Sequence, residues 1–228
     1  MKLYQSQGKS IPQRLVLFIL QTVILAIAGW LLFGGEKMLL NWWGWNFGQG
    51  NEPRQIVLFC LFVIVYFRMI FTIFYLLKRS ISWEEAISIP IAFGLYYIGF
   101  SLFSLSTGAP LSISDIFFIL VFLIGSWMNT ASEWGRDRWK KNPDNKGKLY
   151  MEGLFYYSMH INYFGDVLWV TALALVTRQP WALLIPILLI CLFVFYNIPV
   201  LDRYLENKYG KAFIVYKKST KKLIPFIY

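Results

Sequence analysis

Apolar residues run in long blocks along this chain, with almost no charge inside them and polar, basic or aromatic stretches between. Six blocks stand out, at about 15–34, 55–77, 86–105, 113–130, 163–177 and 180–200, the fifth being the shortest. A helix rises about 1.5 Å per residue and a bilayer core is roughly 30 Å thick, so blocks of this length predict membrane-crossing helices. Lipid offers no hydrogen bonds to a backbone, and a helix satisfies its own. The expected fold is therefore all-α, a polytopic membrane helix bundle of about six transmembrane helices. Residues 131–152 read as a charged connection, and 201–222 as a C-terminal amphipathic basic helix lying against the membrane. Trp42, Trp43 and Trp45, in the loop between Glu36 and Arg54, suit the headgroup level as an aromatic belt.

Composition agrees with that pattern. Hydrophobic residues make up 57% of the 228 residues and charged ones only 15%, where a soluble domain carries about 25%. The net charge of +10 raises the question of nucleic acid. Placement answers it, because the basic residues crowd into loops and tails beside the apolar blocks, where they set topology. With both termini cytoplasmic, eighteen Lys and Arg fall inside, among them Lys2, Lys9 and Arg14, against Lys37, Arg54 and Arg178 outside. The expected partners are membrane lipids and a lipophilic small molecule, with no nucleic acid. The expected location is a multi-pass position in the plasma membrane of a prokaryote or the endoplasmic reticulum of a eukaryote. No cleavable leader is expected, since the first block is long and lacks a small-residue cleavage site. Cys60 and Cys191 both lie inside apolar blocks and read as buried filler rather than disulfide or metal partners.

Against this apolar background a few polar groups call for a reason, because such groups are costly in a bilayer. Ser126, Asn129 and Glu133 recur at i, i+3 and i+7, one face of a helix. Asn162 and Asp166 stand one turn apart where the fifth block begins. Between these groups lie Arg136, Arg138, Lys140, Lys141, Lys146 and Lys148. One reading is a cytoplasm-facing pocket, with Asn and acidic groups on ribose hydroxyls or an amide and basic groups on phosphate. The alternative is a positive-inside loop flanked by helix caps. No Gly-rich phosphate loop is present, so a nucleotide would need a membrane-type site. Deeper in the bilayer, Gln21, Tyr66 and Arg68 sit about seven, twelve and ten residues from the inner ends of their spans and could share one cavity. Glu84 and Glu85 read as acids at a helix N-terminus. His160 is the sole histidine and reads as a polar rim residue, and no metal site is expected.

Several of these residues also sit in a longer pattern. Gly153-Leu154-Phe155 followed by Asn162-Tyr163-Phe164-Gly165-Asp166, with the closing basic run and Ile224-Pro225-Phe226-Ile227-Tyr228, resembles the C-terminal half of the steroid 5-alpha-reductase family. Lys208-Tyr209-Gly210-Lys211 is similar to a segment of the related sterol reductases. Tyr66-Phe67-Arg68 is similar to the family's Tyr-Phe-x-Arg segment. The resemblance is close over 126–228 and weaker before it. It implies a single membrane domain over 1–228, with substrate-side helices in 1–125 and a cofactor-binding half in 126–228. It further implies an NADPH-dependent reductase of an activated carbon–carbon double bond in a sterol, enone or prenyl-type lipid.

By position the resemblance places Asn129, Glu133, Lys148, Asn162, Asp166 and Tyr209 at the cofactor, joined by Arg136, Lys140 and Tyr157. It makes Tyr66 the proton donor, next to Arg68. Gln21 takes the place of the family's substrate-binding glutamate, a departure, since a carboxamide hydrogen-bonds a carbonyl but is no acid. The superfamily also holds S-adenosylmethionine-dependent membrane methyltransferases with an Arg-His-Pro signature. Here those places hold Met159, His160 and Ile161, which favours reduction over methyl transfer. A third reading is a non-enzymatic lipid-binding protein on the same fold.

Overall fold

The structure, a computed structural model, describes residues 10–35 and 50–228. It is helical, with no strand among the described residues. The helices are α1 (Ile11–Trp30), α2 (Glu52–Phe71), α3 (Trp83–Leu105), α4 (Ile113–Lys140), α5 (Ile161–Val176), α6 (Leu184–Leu192), α7 (Ile198–Tyr209) and α8 (Lys211–Ser219). Wider π-type turns extend α2 to Leu76 and join α6 to α7, while α1 is followed to Gly35 by a kink with non-helical backbone at Phe33 and Gly34. Among the described residues, five runs are long and apolar enough to cross a membrane, namely Ile11–Gly35, Glu52–Leu76, Trp83–Leu105, Ile113–Lys140 and Pro180–Tyr209. The expected fifth span is the 16-residue α5, about 24 Å long and short of a full crossing. This is a multi-pass membrane protein. Lys2, Lys9, Glu36, Lys37, Trp42, Trp43 and Trp45 lie outside the described residues.

Two expectations about the polar stretches change. The charged connection is helical in its first half, because α4 runs on to Lys140 with 28 residues, about 42 Å and well beyond a bilayer core. The single basic helix over 201–222 is two pieces. Residues up to Tyr209 continue the run from Pro180, and Gly210, at φ 52°, breaks it before α8. A left-handed residue there is cheap only for glycine. Cys60 and Cys191 also differ from expectation, being exposed rather than buried. Apolar residues such as Ile19, Ile91 and Phe195 are exposed likewise, as suits helices whose solvent is lipid.

The chain divides into two compact units, Met1–Leu120 with Val170–Ile185, and Val121–Trp169 with Pro186–Tyr228. In the first, Leu17, Ile73, Ile81 and Ala86 form a buried cluster. Arg14, counted above as a topology charge, caps the end of the α2 run. Its guanidinium donates to the carbonyls of Ile73, Leu77 (2.7 Å) and Arg79 (3.0 Å). Ser82 and Glu85 make a reciprocal capping box that starts α3, and Arg79 pairs with Glu85 at 2.5 Å. Arg54 and Arg178, the expected outside charges, converge on Asp115. Arg54 is fully buried and donates to Asp115 (2.8 Å) and to the carbonyls of Ala109, Pro110 and Val176. Arg178 reaches the other carboxylate oxygen at 3.0 Å.

In the second unit α4 and α5 touch through two glycines. A Cβ at Gly125 would stand 2.6 Å from Leu168 Cβ and 2.7 Å from the Trp169 backbone nitrogen. One at Gly165 would stand 2.7 Å from both Asn129 N and Gly125 O. Small residues let membrane helices approach this closely. The contact sets Asn129 and Glu133 of α4 beside Asn162 of α5.

Candidate functional site

The glycine contact explains how the polar face of α4 becomes a wall. Asn129 donates from Nδ2 to the Asn162 carbonyl at 3.1 Å, and Asn162 donates from Nδ2 to Glu133 Oε1 at 3.0 Å. Arg136 donates to the other Glu133 oxygen and lays its guanidinium 5.6 Å from the Phe155 ring centre. Glu133 is thus held by one neutral and one cationic donor. Arg136 and Lys140 continue the face that begins at Ser126, since 126, 129, 133, 136 and 140 alternate steps of three and four.

Beyond this wall lies a cleft. It is lined by Arg136 and Lys140 from α4, His160 and Asn162 at the start of α5, and Tyr209 and Tyr216 from the C-terminal helices. Tyr150 and Phe155 close it with edge-to-face rings 5.6 Å apart, Trp139 packs against Tyr150, and Leu149, Met159, Leu201 and Leu205 supply apolar surface. The Tyr216 hydroxyl donates to the Phe155 carbonyl. Burial, with Tyr150 close by, pushes the Tyr216 phenol above its ordinary range. Burial and then the neighbouring Glu152 carboxylate push Tyr150 up as well. Both phenols are neutral donors at physiological pH.

The segment carrying Met159 and His160 is pinned by the chain's last residues. Met159 N donates to Lys221 O at 2.8 Å, His160 N to Lys222 O at 3.0 Å, and the Ser158 hydroxyl to Leu223 O at 2.8 Å. Leu223 N and Ile224 N donate back to Tyr228 O. His160 is buried rather than on a rim, 1% exposed, with Nε2 2.8 Å from Asp202 Oδ1.

Of the residues singled out in the sequence, Arg136, Lys140, Asn162 and Tyr209 line the cleft, with Asn129 and Glu133 behind Asn162. Asp166 accepts from Trp169 Nε1 at 2.7 Å and is not among the lining residues. Lys148 is exposed, and Tyr157, 47% exposed, packs edge-on against Phe226. No group of metal-ligating side chains occurs among the described residues. Sequence reasoning passed over Asp202, Tyr150 and Tyr216, none of which stands in a local pattern that marks it.

In the first unit, the Tyr66 hydroxyl shares a 2.7 Å hydrogen bond with Thr22 Oγ1, so Tyr66 meets α1 at the residue after Gln21. Gln21 is buried, and neither end of its side chain has a partner among the described residues. The buried Tyr97 hydroxyl is unpartnered in the same sense and lies within electrostatic reach of Arg68 and Tyr66.

Residues 87–220 match a family described as proteins of unknown function, DUF1295. The match covers more than half of the sequence and every residue that lines the cleft. The chain belongs to the DUF1295 family. DUF1295 proteins are membrane proteins related to the steroid 5-alpha-reductase-like proteins. No curated protein matches the chain. Gln21, Tyr66 and Arg68 lie before the DUF1295 segment, whereas the Asn129–Asn162–Glu133–Arg136 wall and the His160–Asp202 pair lie within it.

Proposed function

We propose that the protein is an integral-membrane reductase that binds NADPH in the cleft and reduces a carbon–carbon double bond of a lipophilic sterol, enone or prenyl-type substrate. The observation that carries this reading is the donor set of the cleft. Arg136 and Lys140 are cations suited to phosphate, Asn162 and His160 suit ribose or amide groups, and four aromatic rings suit a base. An uncharged lipid has no use for two cations, whereas a phosphorylated nucleotide uses every part. Membership of DUF1295, related to steroid 5-alpha-reductase-like proteins, supports the same reading.

NADPH, when bound, supplies the hydride. Arg136 and Lys140 offset its phosphate charge, and Glu133 holds Asn162 and Arg136 in place. In the first unit, the resemblance to the steroid 5-alpha-reductase family gives Tyr66 the role of proton donor, with Arg68 on the same helix, and Gln21 that of a hydrogen-bonding group for a polar end. The positive-inside bias puts the basic loops on the cytoplasmic side, where a soluble cofactor arrives.

The test is binding to the purified protein in nanodiscs. NADPH at about 100 times its Kd should stabilise the protein by about 2.7 kcal/mol, a rise in Tm of several degrees. The double variant Arg136→Ala with Lys140→Ala should lose that rise. Affinity for S-adenosylmethionine without affinity for NADPH would instead assign the methyltransferase reading. Binding of neither would leave a lipid-binding protein.

A further inference from the structure

The cleft holds one hydrogen-bonding group whose proton is placed by a partner from another helix. The His160 ring lies flat on Tyr163, 9° between planes, and Tyr163 lies flat on Phe193 at 4.4 Å. Its backbone is tied to Lys222, and its Nε2 meets Asp202 of α7, itself only 6% exposed. The ring is therefore fixed by a stack, a backbone bond and a side-chain bond. A carboxylate can only accept, so Nε2 carries a proton. In the neutral ring Nδ1 then carries none and is an acceptor. Nδ1 has no partner among the described residues, yet it is not among the polar atoms sealed off from solvent, and His160 lines the cleft. The neighbouring cations Arg136 and Lys140 are donors only.

We propose that Asp202 is a positioning residue that locks His160 in the Nε2–H tautomer, so that Nδ1 accepts a hydrogen bond from an N–H or O–H group of the ligand in the cleft. The ligand part of this proposal rests on the nucleotide reading above. It adds a polarity requirement, because the ligand must present a donor beside its phosphate acceptors. In a nicotinamide nucleotide that donor is the carboxamide NH2 or a ribose hydroxyl. A ligand lacking a donor there would leave Nδ1 desolvated and unpaired, which is how a built site rejects near relatives of its ligand.

The chain contains a single histidine, so ring-labelled [15N]histidine gives one set of signals that needs no assignment. In nanodiscs at neutral pH the wild-type ring should show its only proton on Nε2. NADPH should shift the Nδ1 resonance. The 3-acetylpyridine analogue, in which methyl replaces NH2, separates the two donors. A shift lost with the analogue assigns the carboxamide, and a shift retained assigns a ribose hydroxyl.

Asp202→Asn, whose amide can donate to Nε2, should move the proton to Nδ1 and weaken NADPH about fivefold, the scale of one neutral hydrogen bond. A wild-type ring with its proton on Nδ1, or on both nitrogens, overturns the proposal. So does an Asp202→Asn variant with unchanged tautomer and affinity. Should that variant fail to fold, His160→Phe is the second probe, and full NADPH affinity in it overturns the acceptor role. If no nucleotide binds, the nucleotide reading and the acceptor role fall together, while the ligand-free spectrum still decides the tautomer.

Discussion

Replacing Gly125 by alanine tests whether the α4–α5 contact builds the cleft wall. The added Cβ would stand 2.6 Å from Leu168 Cβ, 2.7 Å from Trp169 N and 2.8 Å from Gly165 O. Two of these are backbone atoms, which cannot rotate away. Restoring ordinary contact near 3.4 Å parts the helices by roughly 0.6 to 0.8 Å. That stretches the Asn129–Asn162 and Asn162–Glu133 bonds, now 3.1 and 3.0 Å, past useful length. Overpacking costs about 1–3 kcal/mol and each lost bond about 0.5–1.5, against about 1 kcal/mol gained from alanine's helix propensity.

The net loss is about 1–5 kcal/mol, at roughly 2–4 °C of Tm per kcal/mol. The assay is a thermal melt in nanodiscs beside Gly94→Ala as control, where the new Cβ meets only Ile24 at 3.9 Å. The control should be neutral or slightly stabilised. Gly125→Ala melting with the wild type, or with the control, would refute the argument that this contact holds the wall.

Two further outcomes are expected. Asp115→Ala strands Arg54, which is fully buried, and should cost about 3–5 kcal/mol, while pairing Asp115→Leu with Arg54→Met should recover most of it; melts of the single and double variants decide. The Tyr216 phenol is raised in the folded state, so the folded protein keeps its proton where an unfolded tyrosine, at about pH 10, begins to lose it. Stability is then full below about pH 10 and falls as pH rises above it. Tyr216→Phe should flatten that fall, and equal slopes in wild type and variant would refute the assignment.

The helices were legible because lipid imposes one rule on every span, and the blocks follow it. The end of α4 is not legible in the charge pattern, because the face from Ser126 through Glu133 continues unbroken into the charged stretch, to Arg136 and Lys140. Local spacing also brought Asn129, Glu133 and Asn162 into view as related groups. It gave no sign of Asp202, which lies 42 residues from the histidine it holds. Arg54, Asp115 and Arg178 carry the same lesson. Counted one by one they are topology signals or stray charges, and only tertiary geometry makes them a network.

The bonds from Lys221, Lys222 and Leu223 fasten the strip from Ser158 to His160 to a stretch far along the chain. None of the apolar runs needs these bonds to enter a membrane, whereas the strip needs them to reach its final geometry. Removing residues from Lys221 onward would leave those runs whole and take away the strip's backbone partners. Occupancy of the cleft would then report whether that brace is in place.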